Sequence, residues 1–183
     1  MIRNENENVA LEDKRIIALR DAVRRDFPDV THAGKVTGHD GAWLPELTEE
    51  NAIHDDDMLL YEGLIGKKWT EVPKQLLHDF PDGFVLLTDG ALVAFLAAWF
   101  MRSLDLIYGQ NPVREFSVYA FSPGEGSTAD LNISMLRPHT PEQRSTVRSV
   151  LAEFVEREPS EFIRGHAAKA VQLIDNLLPS LEQ

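Results

Sequence analysis

Residues 87–103 read Leu-Thr-Asp-Gly-Ala-Leu-Val-Ala-Phe-Leu-Ala-Ala-Trp-Phe-Met-Arg-Ser, and this stretch decides the fold. Ala91 to Met101 is an unbroken run of 11 apolar residues. A membrane span needs about 20. Here Asp89 and Gly90 stand before the run, and Arg102, Ser103 and Asp105 follow it. The run therefore reads as a buried helix over about residues 89–107, with Thr88 as its N-cap. Being hydrophobic almost all round, it is predicted to lie at the centre with other helices packed on several sides.

Working outward, residues 1–10 are polar and read as a flexible N-terminus. From Leu11 a helical pattern begins, with Ile16, Leu19, Val23 and Phe27 spaced three and four apart on one face. Pro28 ends it. Gly34, Gly38, Gly41 and Pro45 mark a long loop over about residues 31–48. Thr48 is placed to cap a helix running to about Leu64, with Glu49 and Glu50 suited to the positive end of its dipole. Gly63 or Gly66 would close it. Thr70 is placed to cap a short helix through Pro73 to Phe80.

Between 115 and 136 apolar and polar residues alternate in two short runs. These fit either one β-hairpin about the Pro123–Gly126 turn or irregular cover for the central helix. Thr140-Pro141-Glu142-Gln143 is a capping-box signature with Pro at the first helical position. Val147, Val150, Leu151, Phe154 and Val155 then make an amphipathic face. Pro159 breaks that helix and Ser160 caps a last one, striped by Ile163, Ala167, Ala170, Val171, Ile174 and Leu178. The expected architecture is mostly α: a single compact helical domain over residues 11–183, built around the central apolar helix.

Composition narrows the function. The 183 residues hold 30 acidic and 18 basic side chains, for a formal charge of −12. Such a field repels phosphate backbones and argues against a nucleic-acid partner. With no cysteine there is no thiolate metal site and no cysteine nucleophile. Arg3 is followed by Asn and Glu and not by an apolar segment, so no secretory signal is expected. The expectation is a cytoplasmic protein with no membrane partner.

No phosphate loop, nucleophile elbow or His-Glu-x-x-His pair occurs. No catalytic residue, metal ligand or cofactor is assigned. His32 and His39 share the glycine-containing loop and could meet His54 and Asp55, but loop histidines are usually polar surface. The sharper feature is a block from Asp40 to Glu62 with eight carboxylates and no Lys or Arg. Residues 1–65 hold 15 acids and 7 bases, so the imbalance is concentrated in the first third of the chain. The block reads as a solvated face, as a docking surface for a basic partner, or as a carboxylate site. Against the last, Asp55, Asp56 and Asp57 are consecutive and fan out by about 100° each on a helix. The candidate contact residues are Glu46, Glu49, Glu50, Asp55, Asp56 and Asp57, together with Trp43 beside Pro45.

One order of elements is distinctive: Gly66-Lys67-Lys68-Trp69-Thr70-Glu71-Val72-Pro73, then Leu87-Thr88-Asp89-Gly90-Ala91 opening an apolar helix, then Thr140-Pro141-Glu142-Gln143-Arg144. Over about residues 11–157 this resembles a family of small uncharacterised bacterial proteins, a domain of unknown function. Where that family carries Leu-Pro in its central helix, this chain has Leu96-Ala97. The resemblance implies a single-domain bacterial protein and carries no activity or catalytic residue.

The leading expectation is an acidic protein-binding domain, in its concrete form an immunity-type inhibitor of a basic toxin or nuclease. The alternatives are a small metal-dependent or acid–base enzyme using His54 with its neighbouring carboxylates, and a structural or regulatory homo-oligomer.

Overall fold

A computed structural model describes the backbone of residues 5–37, 55–105, 111–123 and 134–181, and the side chains of 14–37, 58–105, 111–123 and 134–179. The helices are α1 (Glu5–Asp26), α2 (Asp55–Leu64), α3 (Lys74–Asp79), α4 (Asp89–Ser103), α5 (Pro112–Phe121), α6 (Pro141–Arg157) and α7 (Glu161–Leu181). Two 3₁₀ turns, Trp69–Glu71 and Gly83–Leu86, flank α3. No sheet forms among the described residues; Thr37 and Leu87 make an isolated antiparallel bridge.

The central helix starts where Thr88 predicts. Thr88 Oγ1 accepts from the Ala91 amide and donates to the Lys35 carbonyl at 2.6 Å. Ten of the 15 residues of α4 are buried, so the helix has no solvent face over most of its length and must be covered on all sides. That cover is a closed circuit: α4 touches α5, α5 touches α7, α7 pairs extensively with α6, α6 touches α1, and α1 returns to α4. The 3₁₀ turns and α3 pack on α4 as well. Phe84, Trp99, Phe100 and Phe121 form an aromatic cluster within this core, with ring centroids 5.8–6.4 Å apart. Trp99 is fully buried, and its Nε1 donates to the Phe80 carbonyl at 3.0 Å.

The C-terminal helices follow the sequence reading closely. Thr140 Oγ1 accepts from the Gln143 amide at 3.3 Å, and Gln143 Oε1 accepts from the Thr140 amide at 2.9 Å. Both otherwise free amides are thereby satisfied. Thr140→Ala is expected to lower the unfolding free energy by about 1 kcal/mol, readable as a shift in the urea midpoint. Ser160 Oγ accepts from the Ile163 amide at 3.4 Å. Gly66, at φ 68°, follows the end of α2 in the left-handed conformation that glycine adopts without strain.

Four expectations are corrected. The alternation over 116–121 lies in a helix, so the first strand of the β-hairpin considered over 115–136 does not exist. Asn111 Oδ1 accepts from the Arg114 amide and Pro112 occupies the first turn, so the helix start is specified locally. The buried residues Val113, Arg114, Ser117, Val118 and Phe121 have helical spacing, while Phe116 points outward. Aromatics on both faces produced the apparent period of two. Residues 134–136, within the second run of the hairpin alternative, form a helical turn. Thr70 does not cap α3; Pro73 stands at that position, and Thr70 bonds Asp29 from within a 3₁₀ turn. The first helix begins at Glu5, ahead of the apolar pattern that starts at Leu11.

Candidate partner-binding surface

Of the predicted contact residues, Trp43, Glu46, Glu49 and Glu50 lie outside the described residues, as do Thr48, His39 and His54. Asp55, Asp56 and Asp57 open α2. Aspartate in the first turn of a helix is favoured by the dipole and by unpaired amides. That is a structural use for the three aspartates, and it is compatible with a recognition role.

α2 is held firmly. Leu60 and Leu64 are fully buried. A Cβ on Gly63 would stand 2.6 Å from Leu76 Cδ2, and one on Gly83 would stand 2.8 Å from Leu60 Cδ2. Glycine thus leaves room for the fully buried Leu60 and for Phe80 Cβ at position 83, while a Cβ at 63 would require Leu76 to shift. Lys67 Nζ donates to the Gly63 carbonyl at 2.6 Å, near the end of the helix. On its outer side Leu59, Glu62 and Ile65 are exposed. A rigidly seated helix therefore presents two apolar side chains and Glu62, and begins with three aspartates.

The charge balance sharpens this. The described side chains include 17 Lys or Arg and 16 Asp or Glu, leaving 1 base and 14 acids elsewhere in the chain. With Glu5, Glu7, Glu12 and Asp13 of α1 and Asp55, Asp56 and Asp57 of α2 added, the described backbone carries 17 bases and 23 acids. Several of the charges are locally matched: Arg15 with Glu156, Arg20 with Asp105, Arg24 with Asp21, Arg25 with Asp26 and Arg148 with Asp175. Arg148 holds the Asp175 carboxyl below its ordinary value. For Asp26, Arg25 does the same with help from Thr146, against a smaller opposing effect of burial.

Trp69 is buried and donates from Nε1 to the Phe27 carbonyl at 3.2 Å. It staples the chain onto the end of α1. His32 bonds the Lys35 carbonyl and meets the Phe95 ring edge at 5.7 Å. His139 is buried, with Nδ1 2.9 Å from the Met135 carbonyl. His166 Nδ1 lies 2.9 Å from Ser122 Oγ. That pair joins α5 to α7; Ser122 is 4% exposed, and no carboxylate bonds the imidazole among the described residues, so it lacks the third group that orients a catalytic histidine. No group of three or more His, Asp or Glu suited to a metal occurs among the described residues. No helix among them is long and apolar enough to cross a membrane.

Sequence reasoning missed an aromatic surface. Phe162 is 66% exposed and Phe116 38%. Phe162 meets His166 at 4.7 Å and Tyr119 at 6.3 Å, and Tyr119 meets Phe116 at 6.2 Å. Glu115 accepts from the Tyr119 hydroxyl at 2.9 Å; burial first, then that carboxylate, raises the Tyr119 pKa. The available signal was Phe162, two residues after the Ser160 cap, on the side of the last helix away from its apolar stripe.

No family model, curated protein or solved structure matches this chain.

Proposed function

We propose that the chain is an acidic protein-binding domain that recognises a basic protein partner, in the manner of an immunity-type inhibitor of a basic toxin or nuclease. The observation that carries this reading is the distribution of charge: Asp40 to Glu62 holds eight carboxylates and no Lys or Arg, and Asp55, Asp56 and Asp57 of that block open α2. A field localised in this way accelerates encounter with a cationic surface and fixes its orientation. α2 supports the reading further, because recognition from a helix anchored through Leu60 and Leu64 loses little entropy on binding.

Affinity capture followed by calorimetry on the captured protein tests it. Asp55→Asn, Asp56→Asn and Asp57→Asn combined are expected to weaken binding about tenfold or more at low salt, with the difference shrinking as ionic strength rises. Asparagine retains capping ability, and circular dichroism checks that helicity is kept. Binding that ignores both salt and the triple substitution would sink the electrostatic reading.

A further inference from the structure

Gly165 lies within α7, and no atom lies within 4 Å of where its Cβ would stand. A helix-interior glycine is less stable than alanine by roughly 1 kcal/mol, and no contact among the described residues calls for it. It faces directly away from the core: Ala167, Ala170 and Ile174 are fully buried, while Glu161, Phe162, Gly165, Ala168, Lys169 and Gln172 are exposed. This outer face joins a large aromatic to two small residues. It continues through the Phe162–Tyr119 contact onto α5.

We propose that this face of α7 pairs with the same face of a second copy, antiparallel, with the two-fold axis at Gly165. The face is self-complementary about that residue. In an antiparallel pair, positions equally far from the axis come level, so Glu161 meets the level of the second copy's Lys169, about 6 Å from the axis. Phe162 likewise comes level with the second copy's Ala168. Each relation occurs twice, as an isologous interface requires. Neither Glu161 nor Lys169 makes an ion pair among the described residues. The nearby Arg164 is turned aside, donating to the Glu158 and Pro159 carbonyls at 2.6 and 3.1 Å. Gly165 and Ala168 let the two helix axes approach closely. Phe162 and Lys169 share one flank, where the aromatic ring can also take the second copy's ammonium group. Pairing would cover the exposed Phe162, the kind of patch that marks an interaction site. None of residues 40–62 takes part, so this pairing stands or falls separately from the reading of a basic partner.

Sedimentation equilibrium of the full chain over a concentration series tests the pairing. A reversible dimer is expected. Gly165→Arg should raise its Kd at least about tenfold, with helicity kept because the side chain meets open space in the monomer. Lys169→Glu should weaken the dimer to a similar degree, and adding Glu161→Lys should restore it to within about threefold. A chain that stays monomeric throughout overturns the proposal. So does a dimer indifferent to Gly165→Arg, or one that the double charge reversal fails to restore.

Discussion

Glu158→Ala is expected to lower the unfolding free energy by about 3–5 kcal/mol, the largest single effect foreseen for this chain. Glu158 Oε2 accepts from Arg114 Nη1 at 2.8 Å, with the two side chains only 8% and 4% exposed. Arg114 also donates from Nε to the Ser103 carbonyl at 3.2 Å and lies over the Phe154 ring at 5.7 Å. One guanidinium therefore ties α5 to the end of α4 and to the corner between α6 and α7. Removing the carboxylate leaves that cation in a poorly solvated site, and this cost exceeds the loss of the attraction itself. Arg114→Met combined with Glu158→Leu should recover much of the stability, since an apolar pair avoids the desolvation of both charges. Urea unfolding of the two variants separates these outcomes. A loss below about 1 kcal/mol for Glu158→Ala would place the pair with ordinary surface ion pairs.

The second large effect is a loss of stability in mild acid that precedes carboxylate titration. Burial pushes His139 down to about 4. The Met135 carbonyl and Asp89 oppose this shift, and Arg144 adds to it. Since a carbonyl only accepts, Nδ1 carries the hydrogen of the neutral ring. The unfolded imidazole takes up a proton near its ordinary value of 6.5, while the folded one resists until about 4. Between those values the unfolded state binds more protons. The His139 contribution is therefore complete above pH 6.5 and is lost as pH falls towards 4, amounting to about 3 kcal/mol. Asp26 and Asp175, whose folded values are depressed, withdraw their contributions only below their ordinary value of 3.8. The two windows are distinct. Unfolding free energies measured between pH 7 and 4 should decline for the native chain. For His139→Gln they should stay nearly flat, from a lower starting stability. An equal decline in both would assign the acid sensitivity to other groups.

Signals local in sequence were legible. Thr88, Thr140 and Ser160 announced helix starts because their side chains bond amides three residues ahead. The apolar run announced the centre because no amphipathic pattern survives when a helix is covered on all sides. Misreadings arose where the deciding contact is distant. Thr70 looked like a cap, but its hydroxyl bonds Asp29, 41 residues away. Phe116 and Tyr119 looked like strand residues because no spacing rule reports that α7 brings Phe162 and His166 beside them. Of the acidic surface, the sequence identified the charge and its location; that Asp55, Asp56 and Asp57 open a helix anchored through Leu60 and Leu64 emerged only from the structure. Arg114 and Glu158 were invisible as a pair, since two charged letters 44 positions apart carry no sign of burial.

The circuit of helices has a consequence for how the chain folds. Three of its five seams join helices near in sequence or bridged by α7, but α1 meets both its neighbours at long range: α4 begins only at Asp89, and the seam with α6 joins Arg15 to Glu156, 141 positions apart. Closing so long a loop costs conformational entropy that grows only slowly with length, yet that cost must be met before Ile16, Val23 and Phe27 are sealed in. Docking of α1 is thus expected late, after the α6–α7 hairpin, whose contacts are local. Until it docks, one flank of the α4 core is open to solvent, and the slowest-exchanging amides of α4 report on the arrival of α1.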